Sequence, residues 1–411
     1  MRKCVLTFFT GVLCLLSVQI NFAQDDIALP DNALSLPIVT APTAAPVVQP
    51  VIIPQPPAIN AKAYVIMDVA TGNIIAQNNM DERLEPASLT KLMSTYVVFS
   101  ALQNKSITLE DDVRVSETAW KTEGSRMFIK VGDNVKVSDL IQGDIVASGN
   151  DATVALSEHV AGTEAAFVEM MNAQAQRLGM INSHFMDATG LPTEEHYTTA
   201  GDLARLSRAI ILSFPDQYHW FSEKWFEYGG IKQPNRNRLL WQYPGTDGLK
   251  TGHTDAAGFC LIASAVKNNT RLLVVVMGAP TDKERAANAI KLFTYGFRFF
   301  QNTTLFDANT PITTARVWQG KEKEVSLGVA APMSVTLPVG AERAIKHTVD
   351  ITPNLTAPII KGKAYGNIVV TYDGKVLATA PLVALNDVEK GGFFRRMIDY
   401  IAKLFHHHDT E

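Results

Sequence analysis

The chain has 411 residues, about 2.7 times a typical 150-residue domain, which is enough for more than one core and far beyond a disulfide-stapled miniprotein. Its 46% hydrophobic and 19% charged residues exclude wholesale disorder and a polytopic membrane protein. With 37 basic and 41 acidic side chains the formal charge is −4, so there is no global positive field to hold nucleic acid.

Arg2 and Lys3 precede an apolar run from Cys4 to Val18, and Ala23 stands just before Gln24-Asp25-Asp26. Basic, apolar and small residues in that order read as a secretory signal peptide over residues 1–23. Its removal takes Cys4 and Cys14 away and leaves Cys260 without a disulfide partner. Residues 24–60 carry eight prolines from Pro30 to Pro57, a density that forbids helix and predicts an extended linker. Two β-branched runs, residues 63–68 and 74–76, flank Thr71-Gly72-Asn73 and predict a β-hairpin. A helix is expected from Ser88 to about residue 103. Helical pieces follow between residues 138 and 179, broken at Ser148-Gly149 and Gly162. Another helix runs over residues 199–214 and stops at Pro215. Strands are then expected over residues 248–251, 259–266 and 272–277, and Thr281-x-x-Glu284 opens a helix through Phe300. Beyond about Thr310, short β-branched runs with Gly and Pro punctuation and an Asp373-Gly374 turn predict an all-β domain over residues 310–390. In residues 391–411, Phe394, Met397, Ile398, Ile401 and Phe405 recur at helical spacing, with Arg395, Arg396 and Lys403 on other faces. A basic amphipathic helix of this kind suits an anionic membrane surface; the alternative is a helix packed on the domain core.

Three short motifs can carry chemistry. In Ser88-Leu89-Thr90-Lys91 the serine and lysine lie one helical turn apart on one face. A neutral lysine can take the serine proton and return it to a leaving group, provided burial or neighbouring cations lower its pKa. Backbone N–H groups at a helix start can also stabilise an oxyanion. About one such pattern arises by chance in a chain this long. Ser264-Ala265-Val266-Lys267 matches too, but in an expected strand, where residues three apart face opposite ways. Lys250-Thr251-Gly252, followed by His253, offers a cation and a hydroxyl to a carboxylate and a glycine for close backbone approach. Ser148-Gly149-Asn150 offers a hydroxyl and an amide, or, read alone, a helix-breaking turn with Asn150 as cap. His159, His184, His196 and His219 lack metal-ligand spacing and read as structural or surface residues. His406, His407 and His408 read as a solvated tail, and Cys260 as a buried small residue.

In this order the three motifs resemble those of the penicillin-recognising serine enzymes, whose Ser-x-x-Lys, Ser-x-Asn and Lys-Thr-Gly elements form one site. Gly149 in the second motif points away from class A β-lactamases. It points towards the low-molecular-weight penicillin-binding proteins of the 5/6 type that act as D-alanyl-D-alanine carboxypeptidases. Pro86-Ala87, Asn235-Arg236-Asn237, Leu239-Leu240-Trp241, Asp247-Gly248 and Thr281-Asp282 through Arg285 extend the resemblance across residues 61–301. It implies an α/β (α+β) β-lactamase/transpeptidase-like catalytic domain over residues 61–309, a smaller all-β C-terminal domain and a terminal amphipathic helix. That helix would lie on the outer face of the bacterial inner membrane, in the periplasm. Carried over, Ser88 is the acylated nucleophile, Lys91 its base, and Ser148 and Asn150 serve proton transfer and substrate-amide contacts. Lys250 polarises the site, and the N–H groups of Ser88 and His253 form the oxyanion hole. Thr251 and Arg285 hold the terminal carboxylate beside Gly252, with Arg236 close by. The implied reaction removes the terminal D-alanine of peptidoglycan stem pentapeptides, with β-lactams as acylating inhibitors and no cofactor or metal. A related β-lactamase or DD-endopeptidase, or a non-catalytic cell-wall scaffold, is the alternative.

Overall fold

The computed structural model describes residues 52–406, with side chains through Lys403. The expected signal peptide, most of the expected linker and His407 and His408 lie outside the described residues. In chain order the first part runs β1 (Ala63–Asp68), β2 (Ile74–Asn78), α1 (Lys91–Gln103), β3 (Asp112–Arg114), α2 (Glu117–Lys121), β4 (Asn134–Lys136), α3 (Val137–Gln142), α4 (Asn150–Ala161), α5 (Glu164–Arg177) and α6 (Ala200–Ser213). It continues through β5 (Trp225–Tyr228), β6 (Ile231–Pro234), α7 (Leu239–Gln242), β7 (Thr246–Thr254), β8 (Gly258–Lys267), β9 (Thr270–Ala279) and α8 (Asp282–Phe299).

Strands β2, β1, β9, β8 and β7 form, in that order, one antiparallel sheet. Strand alternation divides its residues between two cores. On β9, Leu273, Val275 and Met277 join Leu92 and Val97 of α1, Phe167 of α5 and Leu203 of α6. Leu272, Val274 and Val276 instead face Leu292 and Phe293 of α8. Both faces are covered, which is why residues 272–277 read as an unbroken apolar run. Helix α8 starts as its motif predicts, with the Thr281 hydroxyl accepting the Glu284 N–H at 3.1 Å. Strand β7 is left at the sheet edge beside the turn Ala87–Thr90, and this positions the site.

The second part comprises β10 (Phe300–Phe306), β11 (Thr313–Arg316), β12 (Glu324–Gly328), β13 (Met333–Pro338), β14 (Lys346–Ile351), β15 (Ala364–Tyr372), β16 (Lys375–Ala384) and α9 (Phe393–His406). Its sheet order is β11-β12-β16-β15-β14, with β10 paired to β13, around Val325, Leu327, Ile368, Val370 and Leu382. Asp373 and Gly374 both have positive φ, as a tight hairpin turn requires. Asp68, at the end of β1, accepts from Asn302 of β10 at 3.0 Å and from Thr336 of β13 at 2.9 Å, tying the two parts together.

Residues 52–60, expected as part of a free linker, are seated on the catalytic part instead. Ile53 and Ile59 pack against the apolar cluster on the α8 side of the sheet. Asn288 and Tyr295 of α8 donate to the carbonyls of Asn60 and Pro54 at 2.9 and 3.0 Å. Two isoleucines that cover apolar surface hold this proline-rich segment against α8. Helix α9 touches the β part through polar groups. Asp399 accepts from the Gln319 N–H at 2.7 Å and Lys403 donates to Thr356 at 3.1 Å. Phe393, Phe394, Met397, Ile398, Tyr400 and Ile401 stay exposed. Among the described residues no helix is long and apolar enough to cross a membrane.

Candidate active site

Three stretches far apart in sequence converge at β7. Ser88 lies in the turn of 3₁₀ helix Ala87–Thr90, which runs directly into α1. Ala87 before it is held at φ +48°, a costly conformation for a residue with a Cβ and one that clusters at functional sites. Lys91, one turn on, is 0% exposed. Its Nζ contacts Ser88 Oγ at 3.3 Å, Asn150 Oδ1 at 2.7 Å and the Thr189 carbonyl at 2.8 Å. Burial pushes the lysine down to about 8, with Asp144 and Asp187 pulling the other way.

Read alone, Ser148-Gly149-Asn150 left a capping role open for Asn150 beside its expected place in the site. Gly149 takes the N-cap position instead and Asn150 becomes the first residue of α4, so its amide is free for the site. It donates to the Glu123 carbonyl at 2.5 Å, which turns its oxygen towards Lys91. Ser148 closes the preceding helical turn at φ +58°, and its Oγ receives Lys250 Nζ at 2.7 Å. Lys250 is 3% exposed. Burial and then the neighbouring Lys91 charge push its pKa well below the ordinary lysine value.

Gly252 is where β7 presses on the serine turn. A Cβ there would lie 3.0 Å from the Pro86 carbonyl and 3.2 Å from the Ser88 nitrogen, so glycine gives the strand this close approach and a side chain would press on the serine turn. Thr251 is buried beside it and His253 is exposed, its ring 4.0 Å from that of Phe259. Arg285, in the first turn of α8, donates to the Gly252 and Cys260 carbonyls at 3.1 and 3.2 Å and pairs with Asp282 at 2.5 Å. It therefore also braces the end of β7. Arg236 donates to the Ala147 carbonyl at 3.1 Å. Arg236, His253 and Arg285 line a cleft of about 500 Å³ with Gln233, Arg238 and Phe259.

One part of the site has little signal in the sequence. Thr90, between Ser88 and Lys91, bonds His196 Nε2 at 2.9 Å, and His196 Nδ1 meets Asp187 at 3.2 Å. The other Asp187 oxygen accepts the Thr189 and Gly190 N–H groups at 2.6 and 2.7 Å, fixing the carbonyl that Lys91 uses. Burial raises the Asp187 pKa, but the bond and charge of His196 and these N–H groups overcome it and bring it to about 2. The available signal is Asp187-Ala188-Thr189-Gly190, an Asx-turn pattern. His159, His184 and His219 lie away from these groups and bond Asp111, the Glu195 carbonyl and the Asp216 carbonyl. Cys260 is fully buried, and burial pushes its thiol up to about 11. Ser264 is buried against Arg271 at 2.8 Å while Lys267 is exposed, so that second motif forms no pair.

A serine hydroxyl facing a buried lysine, flanked by a Ser-x-Asn turn and a Lys-Thr-Gly strand edge, defines a serine acyl-transfer enzyme of the penicillin-recognising class. The chain belongs to the D-alanyl-D-alanine carboxypeptidase family, whose model matches residues 51–281, and residues 300–390 match that of the penicillin-binding protein 5 C-terminal domain. D-alanyl-D-alanine carboxypeptidase DacC of Escherichia coli is 43% identical over 374 residues, 89% of this chain and 93% of that relative. The crystal structure of penicillin binding protein 5 from Haemophilus influenzae, 42% identical, superposes with a TM-score of 0.78 over 82% of this chain and 99% of that one. Penicillin-Binding Protein D2 from Listeria monocytogenes, solved in its ampicillin-bound form, is 30% identical with a TM-score of 0.54, covering 61% of this chain and 100% of that one. The expected architecture, a catalytic α/β domain followed by an all-β domain and a terminal helix, is the one observed. The activity is that of a D-Ala-D-Ala carboxypeptidase of the penicillin-binding protein 5/6 type. The β-lactamase, endopeptidase and scaffold readings are not favoured.

Proposed function

We propose that the chain releases the terminal D-alanine of peptidoglycan stem pentapeptides through an acyl-enzyme on Ser88, with Lys91 as the base. The observation that carries this reading is the set of three contacts at Lys91 Nζ. A neutral amine has two N–H bonds, and Asn150 Oδ1 and the Thr189 carbonyl can only accept. Both hydrogens are thereby used, and the lone pair remains for the Ser88 proton. Ser88 Oγ then attacks the carbonyl carbon of the penultimate D-alanine, and the charge growing on the carbonyl oxygen falls to the N–H groups of Ser88 and His253. The C–N bond breaks, the leaving amine takes the proton held by Lys91, relayed by Ser148, and D-alanine departs. Water, giving a proton to Lys91, hydrolyses the ester and restores the serine. Lys250, Thr251, Gly252 and Arg285, with Arg236, receive the substrate carboxylate, which needs local cations in an otherwise acidic chain. β-Lactams present an amide beside a carboxylate to the same groups and acylate Ser88.

The setting belongs to the same proposal: export directed by residues 1–23, a periplasmic site of action, and α9 lying on the outer face of the inner membrane. The exposed apolar side chains of α9, beside Arg396 and its polar attachment through Asp399 and Lys403, support the last point.

The test is D-alanine release from a diacyl-Lys-D-Ala-D-Ala peptide by the purified protein and by Ser88→Ala. Release and penicillin labelling are both expected to vanish in the variant, and release that survives would overturn the assignment. Deleting residues 391–411 is expected to move the protein from the membrane fraction to the soluble one; unchanged fractionation would sink the anchor.

A further inference from the structure

Between α1 and α4 lies a carboxyl group that none of these steps uses. Asp144 belongs to the wide helical turn Gly143–Ala147, which delivers Ser148 to the site; such turns recur at functional sites. It is 3% exposed and shares its surroundings with Val98, Ile141 and Leu156. Its Oδ2 lies 3.0 Å from the Thr95 hydroxyl and its Oδ1 2.5 Å from the Thr153 hydroxyl. Thr95 is one turn along α1 from Lys91, and Thr153 is three residues on from Asn150 in α4. One carboxyl group thus bridges the two helices that present Lys91 and Asn150.

Proton counting sets its charge. Each threonine hydroxyl also reaches a backbone carbonyl, Thr95 that of Lys91 at 2.7 Å and Thr153 that of Gly149 at 2.8 Å. These four oxygen–oxygen contacts share two hydroxyl protons, and neither carbonyls nor an ionised carboxylate can add one. With a proton on Oδ2, Asp144 donates to Thr95, Thr95 donates to the Lys91 carbonyl and Thr153 donates to Oδ1. Three contacts are then made in place of two. Neither amine bonds the carboxyl group: Lys91 is engaged by Ser88, Asn150 and Thr189, and Lys250 by Ser148 and the Thr251 carbonyl. Burial pushes the Asp144 carboxyl up from its ordinary value. The charges of Lys91 on α1 and Lys250 on β7, and the two hydroxyl bonds, oppose that rise.

We propose that Asp144 is a protonated, neutral strut that locks the Lys91 helix to the Ser148–Asn150 turn, and that its neutrality leaves Lys91 free to act as an uncharged base. It is a positioning residue, and the inference rests on Lys91 being the base.

The test compares the full chain with Asp144→Asn and Asp144→Leu. Infrared difference spectroscopy at neutral pH is expected to show a protonated-carboxyl C=O band that Asp144→Asn lacks; no such difference overturns the neutral state. Asn keeps an acceptor and a donor in place, so acylation by a chromogenic penicillin is expected to stay within about threefold of wild type, with an unchanged pH profile. Leu keeps the volume without the bonds, and a loss of about 10²-fold is expected, the cost of misplaced reacting groups. An Asn variant that loses tenfold or more and shifts its pH profile shows that the negative charge is needed and overturns the proposal. A Leu variant as fast as wild type overturns the strut. The infrared band is read without turnover, so failure of the wild-type protein to release D-alanine counts against the assigned function and not against the proton on Asp144.

Discussion

Lys250 Nζ sits 2.7 Å from Ser148 Oγ although the two residues are 102 positions apart. The lysine donates this bond, so Ser148 accepts it and keeps its own proton for the proposed relay. Ser148→Ala leaves Lys250 with the Thr251 carbonyl at 3.3 Å. Penicillin acylation is expected to fall about 10²-fold or more, and stability by about 1–3 kcal/mol, because a buried amine loses its partner. Stopped-flow acylation and thermal unfolding of the same sample check both.

The pH dependence of acylation follows from Lys91. Its pKa is lowered by burial from 10.5 to about 8, and in the proposed mechanism the deprotonated amine is the active form. The acylation rate is expected to rise with pH and level off above about 8. Arg236 is among the charges that depress Lys91, so Arg236→Gln should move the midpoint upwards. A pH series with a chromogenic β-lactam, read as kcat/KM, distinguishes a shifted midpoint from weaker binding alone.

Asp187 predicts an acid limit to stability. Its folded pKa of about 2 lies below the ordinary aspartate value of 3.8, so the folded state binds fewer protons than the unfolded one between those values. Its contribution, about 2 kcal/mol for a shift of this size, is present above pH 4 and lost as pH falls through 2. Asp187→Asn is expected to be less stable than wild type at neutral pH, and the gap should close over that window in urea unfolding at stepped pH.

Gly190 marks the closest approach of the Asp187 loop to the nucleophile. It has φ +87°, and a Cβ there would lie 1.8 Å from the Ala87 carbonyl. Neither the backbone angle nor the space tolerates alanine. Gly190→Ala is expected to cost at least about 2 kcal/mol and to slow acylation, because the turn carrying Ser88 must move. A melting temperature equal to wild type would show that the loop relaxes freely.

The local part of the site was legible in the sequence because local rules govern it. Ser88 and Lys91 face one way by helical pitch, and the same rule, applied to a strand, rejects Ser264 and Lys267. The break at Ser148-Gly149 and the glycine of Lys250-Thr251-Gly252 were visible as backbone constraints. Their convergence was not, since β7, α1 and the Ser148 turn meet only through the tertiary fold; family resemblance supplied that step. Asp187 and His196 escaped because their partners, Thr90 and the Thr189 backbone, come together only when the loop folds under the serine turn. Asn150 carried two readings because capping and substrate binding call on the same side-chain chemistry, and the N-cap position of Gly149 separates them.

Asp68 bears on how far the site stands from α9. Its carboxylate is shared by Asn302 and Thr336 at the junction of catalytic and β domains, and Asp399 and Lys403 fasten α9 to the far part of the chain. With α9 on a lipid surface, as proposed, these bonds would carry Ser88 at a set height above it. Peptide ends at that altitude in the wall mesh would come within range and those nearer or farther would not. Selection among chemically identical ends would then become a matter of elevation.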